Sequence, residues 1–74
     1  MIHCGIYQHY KGQQYQVLHL ARHSETQEEM VVYKQLYGDG GIWVRPAKMF
    51  AEKILIEGEI VDRFRFLGDE AENC

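Results

Sequence analysis

Seventy-four residues, 46% of them apolar and 26% charged, suffice for one small domain and are too rich in apolar residues to stay unfolded. No apolar run reaches the ~18 residues of a membrane-spanning helix, and the N-terminus lacks the charged-then-apolar pattern of an export signal, so a soluble cytoplasmic protein with no membrane partner is expected. The net charge of −3 belongs to one end: Asp69, Glu70 and Glu72 follow Gly68, and residues 1–67 carry eight acids against eight Lys plus Arg.

A neutral body lacks the basic surplus of sequence-independent nucleic-acid binding. The two cysteines, Cys4 and Cys74, stand near opposite chain ends, Cys74 behind a polar stretch, and read as free thiols of a reducing compartment. In place of a cross-link, five Tyr, three Phe and Trp43 supply the buried area that a chain of this size needs.

In chain order, Gly5 to Tyr10 reads as a first strand, and Lys11-Gly12-Gln13 as a tight turn. Gln14 to His23 is a longer strand with Tyr15, Val17, His19, Ala21 and His23 on one side. Apolar residues on both sides around Val17 to Ala21 predict a change of phase where the strand bends. Ser24 to Glu29 is polar and reads as a loop in which Ser24 and Thr26 bond backbone amides. Met30 to Tyr37 is a β-branched and aromatic strand, ended by Gly38-Asp39-Gly40-Gly41. Ile42 to Arg45 returns as the second arm of an antiparallel hairpin. Pro46 stops that strand and opens a helical turn to Glu52, with Met49 and Phe50 on the core. Lys53 to Glu57 is a fifth strand and Glu57-Gly58-Glu59 its turn. Ile60 to Leu67 closes the domain, with Phe64 and Phe66 on one face and Arg63 and Arg65 on the other.

Short strands separated by turns, with one helical turn, predict an all-β domain over 1–67: a small SH3-like or partly open barrel of five to six strands. Residues 68–74 read as a disordered acidic tail.

The blocks Tyr7-Gln8-His9-Tyr10-Lys11-Gly12, Ala21-Arg22-His23-Ser24-Glu25-Thr26, Val31-Val32-Tyr33, Leu36-Tyr37-Gly38 and Trp43-Val44-Arg45-Pro46 with Met49-Phe50 occur in this order and spacing. Over residues 5–66 the chain resembles the bacterial family known as domain of unknown function 1653. It departs from that pattern at Gly40, where a larger residue is common, which implies a looser loop before Trp43. The resemblance implies a stand-alone small bacterial protein and supplies no reaction, cofactor or partner.

His23-Ser24-Glu25 contains the residue types of a hydrolytic relay, but neighbours on an extended chain point to opposite faces. No metal is expected. His19 and His23 are four residues apart on a strand, about 13 Å, and Cys4 and His9 complete no ligand spacing. The glycine loop joins two strands and lacks the helix and lysine of a phosphate cradle. No cofactor is expected either.

The surplus of polar-tipped rings is the functional signal. With Ile42 and Val44 inward, Trp43 and Arg45 share the outer face. Tyr33, Tyr37, Trp43 and Arg45, bordered by Arg22, His23 and Glu25, then form a candidate surface for a protein or peptide. The same face suits unpaired nucleic-acid bases as an alternative, and a small-molecule enzyme using His23 and Glu25 is a second. Oligomeric state is left open.

Overall fold

The structure, a computed structural model, describes residues 2–68. Seven strands and one helical turn follow one another: β1 (Gly5–His9), β2 (Gln14–Arg22), β3 (Glu29–Gln35), β4 (Ile42–Pro46), α1 (Ala47–Phe50), β5 (Lys53–Ile56), β6 (Glu59–Asp62) and β7 (Phe64–Gly68). Five form an antiparallel sheet in the order β4-β3-β2-β1-β7, and β5 pairs with β6 in a separate two-stranded sheet. The all-β class with one short helical turn stands. The sheet is of the open kind: among the described residues its ladder ends at β4 on one side and β7 on the other.

Alternation along the strands puts Tyr7, Tyr15, Val17, Val31, Tyr33 and Phe64 on one side of the sheet. That side is covered by α1. A four-residue helix has no stability of its own; Pro46 enters it with φ −54°, and buried Ala47 and Phe50 pin it down. Phe50 stacks on Phe64 with centroids 4.2 Å apart and planes 2° from parallel, while Tyr7 meets the Phe50 ring edge-on at 5.1 Å. These residues, with Cys4, Val17, Val31 and Tyr33, are the core. Met49, expected beside Phe50, is exposed, because a single turn can direct only one of two adjacent side chains at the sheet.

The change of phase in β2 is a bulge at Leu18. Val17 faces Tyr33 and His19 faces Val32, so Leu18 is the extra residue, and beyond it Leu20 rather than His19 shares the side of Val31.

The last strand differs from the sequence reading. What looks like one alternating run from Ile60 to Leu67 breaks at Arg63, with β6 in the small sheet and β7 in the large one. Arg63 sews the corner. Its N–H donates to the Glu52 carbonyl at 3.0 Å, its carbonyl accepts the Tyr10 N–H at 3.0 Å, and its guanidinium meets Glu52 Oε1 at 2.7 Å. Periodicity cannot show such a corner, because the alternation resumes on the far side.

Gly68, assigned to the tail, is the last residue of β7 opposite Ile6; the rest of the expected tail lies outside the described residues. Cys4 is disulfide-bonded, which corrects the expectation of free thiols; its partner lies outside the described residues. Antiparallel pairing of β1 with β7 brings the two ends of the domain together, which spacing along the sequence hides. With the free thiol goes the argument from cysteine usage for a reducing compartment. No helix among the described residues is long and apolar enough to cross a membrane.

Replacing Phe50 by Ala is expected to cost about 3–5 kcal/mol in a denaturant melt. Met49→Ala on the same turn should stay within about 0.5 kcal/mol. Equal losses would show that α1 does not hold the core as described.

Candidate functional site

In the β3–β4 ladder Val31 faces Arg45, Val32 faces Val44 and Tyr33 faces Trp43. Because Val31 and Tyr33 are core residues, Trp43 and Arg45 lie on the core side of the sheet, and Ile42 and Val44 face outward. This reverses the expected facing of β4 but keeps its consequence, since Trp43 and Arg45 still share one face with Tyr33. They lie where the helical turn no longer covers the sheet. Here Tyr15, Tyr33, Gln35, Tyr37, Trp43 and Arg45 line an open cleft of about 320 Å³.

Each member of the cleft has a structural reason for its position. Trp43 is 56% exposed, and its indole N–H donates to Gln35 Oε1. Gly41 makes room for that bond: a Cβ there would stand 2.8 Å from Gln35 Oε1 and 3.2 Å from Trp43 Nε1. Gly40, at φ 68°, takes a left-handed conformation that costs glycine little. Tyr37 lies past the end of β3 and is 42% exposed; its hydroxyl bonds the Tyr15 hydroxyl at 2.7 Å, and the two rings meet edge-on at 5.5 Å. Tyr33 is only 7% exposed, so this ring belongs to the core although it also lines the cleft. The Arg45 guanidinium lies 5.6 Å from the Phe64 centroid, a cation–π distance.

The electrostatics follow from that geometry. Burial, then the hydrogen bond to Tyr37, pushes the Tyr15 hydroxyl up to about 12 against Arg45, which lowers it. Tyr15 is therefore neutral at physiological pH. Arg45 has no carboxylate partner among the described residues.

The bordering residues are elsewhere. Arg22 is at the opposite end of β2 from Tyr15, about 20 Å along an extended strand. His23 and Glu25 belong to the turn after it. There His23 Nδ1 accepts the N–H groups of Glu25 and Thr26 at 3.1 and 3.3 Å, and Thr26 Oγ1 accepts that of Glu28 at 3.1 Å. The expected backbone cap is thus made by His23 and Thr26, and among the described residues Ser24 makes no side-chain bond. Nor does Glu25 pair with an arginine among the described residues. Among those residues, no three His, Cys, Asp or Glu side chains gather as a metal site.

A larger cavity of about 510 Å³ was not foreseen from the sequence. It opens between the end of β1 and the β5–β6 hairpin, lined among others by His9, Tyr10, Ile56, Glu59, Val61 and Arg65. It exists because the chain turns at Arg63, the feature that alternation conceals. Some of its polar groups are engaged: Arg65 donates to Gln8 Oε1 at 3.3 Å, and Asp62 holds Lys53 at 2.8 Å. Burial, followed by the charges of Arg63, Lys11 and Arg45, holds His9 below its ordinary value.

A family model described as a protein of unknown function, DUF1653, matches residues 5–66. The chain is also similar to a crystal structure of a DUF1653 protein from Bordetella bronchiseptica, with 36% identity and a TM-score of 0.83 over 90% of this chain and 88% of that one. No curated protein matches.

Tyr37→Phe should bring Tyr15 down from about 12 towards its ordinary value of 10 in an ultraviolet titration of the phenolates. The raised value stabilises the fold fully below pH 10, and that contribution fades as pH rises through 12. The wild type should therefore lose more stability than the variant across that window. Gly41→Ala should fold normally yet move the Trp43 indole N–H resonance, because the methyl displaces the Gln35 carboxamide. An unmoved resonance would mean that Gly41 does not set the indole's position.

Proposed function

The chain belongs to the DUF1653 family, and we propose that it acts as a non-enzymatic binding module that recognises an extended segment of another protein through the Trp43–Tyr37–Arg45 cleft. One observation carries this reading. Trp43 and Tyr37 keep 56% and 42% of their surface in water beside a core that Phe50, Phe64, Tyr7 and Tyr33 complete without them. Amphipathic rings held rigid beside a cation are what peptide-binding grooves use, because they offer large contact area at a small loss of side-chain entropy.

The nucleic-acid alternative has weaker support. Stacking platforms work together with a track of cations along the phosphates, and among the described residues Arg45 is the sole cation lining this cleft. The enzymatic alternative rests on His23 and Glu25, and one of the two ring nitrogens of His23, Nδ1, is engaged by turn amides.

Peptides selected from a random display library on the wild-type protein should lose roughly 30-fold in affinity for Trp43→Ala, the ~2 kcal/mol of an aromatic anchor. Leu55→Ala, an exposed residue of the separate two-stranded sheet, should bind as the wild type does, and both variants should melt cooperatively. Unchanged binding by Trp43→Ala would move the site elsewhere. Unfolding of that variant would make Trp43 structural. Capture of oligonucleotides with a steep salt dependence would favour the nucleic-acid reading.

A further inference from the structure

The edges of the five-stranded sheet are unequal. At β7 the ladder to β1 is interrupted between Ile6 and Tyr7, where Leu67 is an extra residue, and such a bulge blunts an edge against further pairing. β4 pairs with β3 without interruption from Ile42 to Pro46, and among the described residues no strand pairs with its other side. Its residues are apolar on both faces: Ile42 is 62% and Val44 58% exposed on the outer face, and Trp43 is exposed in the cleft. Pro46 closes only the far end. An edge with this composition and no charge before Arg45 favours an added strand.

The cleft specifies what that strand must carry. A strand added beside β4 places its own side chains directly opposite those of β4 on each face. Opposite Arg45 it meets a guanidinium with five N–H donors, held over the Phe64 ring and without a carboxylate partner among the described residues. The other lining groups, the tyrosine hydroxyls and the Gln35–Trp43 pair, are neutral and mostly engaged with one another. The nearest acid in the loop, Asp39, accepts the Gly41 N–H at 3.2 Å and caps the turn.

We infer that β4 accepts an extended acidic peptide as a further strand, with an Asp or Glu side chain opposite Arg45 and an apolar or aromatic side chain two residues away opposite Trp43. This rests on the cleft being the binding face and names its partner's chemistry. Backbone hydrogen bonds along β4 supply affinity, and the carboxylate–guanidinium pair supplies register and selectivity. An edge-to-edge dimer of this chain would use the same strand but brings no carboxylate to Arg45 from β4, whose residues are Ile42-Trp43-Val44-Arg45-Pro46.

The probe is the acetylated, amidated peptide Ser-Thr-Glu-Val-Tyr-Val-Ser, whose one charge is the carboxylate, compared with the same peptide carrying Gln for Glu. Titration into the full chain, followed by NMR, should shift the β4 amides and the Trp43 indole and slow hydrogen exchange along β4. The Glu peptide should bind about tenfold or more tightly than the Gln peptide. Arg45→Gln should erase that preference while leaving the fold intact. Equal affinity of the two peptides, or a preference that survives Arg45→Gln, overturns the inference. It would leave the cleft reading standing if Trp43→Ala still abolishes binding, and would end that reading too if Trp43→Ala has no effect. Failure of both peptides to bind, or occupation of β4 by a second copy in sedimentation of the free protein, also overturns it.

Discussion

The stacked pair Phe50–Phe64 is the contact on which the rest depends. One ring comes from a single helical turn and the other from the start of the last strand, and each is held by elements that cannot persist alone. A four-residue helix needs a tertiary anchor, and an open sheet needs a cover for its apolar side. Packing Phe50 against Phe64, Tyr7 and Tyr33 meets both needs at once. In a chain of this size, aromatic rings are an economical way to fill a core, since each removes a large area from water and has few rotamers to lose.

The cleft is a by-product of how small that cover is. The turn shields only the middle of the sheet, so where β3 and β4 run beyond it Trp43, Tyr37 and Arg45 reach solvent. The same ladder that buries Val31 and Tyr33 thus exposes their neighbours on β4. Core and candidate site are two ends of one face, linked by the Tyr15 and Tyr33 rings that touch both, and by Arg45 leaning on Phe64. Family membership and the Bordetella bronchiseptica structure establish the fold and carry no activity with them.

The sites read from sequence divide according to how local their causes are. Tyr33, Trp43 and Arg45 were legible together because a hairpin with a glycine loop has few registers, and the alternation within it places them on one side whichever side is inward. Which side is inward was misread, since Ile42 and Val44 are as apolar as the residues that are buried. Arg22, His23 and Glu25 were grouped with the site by their chemistry; the length of β2 separates them from it. The cavity beside His9 had no local signature at all, because it depends on a corner whose two arms keep a single alternation.

The amino-acid order by itself determined the strand class, the turns at glycine, the bulge-like change of phase in β2 and the Pro46 start of the helical turn. Those are local effects of φ preference, side-chain branching and period-two burial, and each acts within a few residues. Tertiary structure decided the facing of β4, the corner at Arg63 and the pairing of the first strand with the last. Each of these is settled by which distant surface a segment packs against, and strand pairing between β1 and β7 joins residues about sixty positions apart, where no local preference reaches.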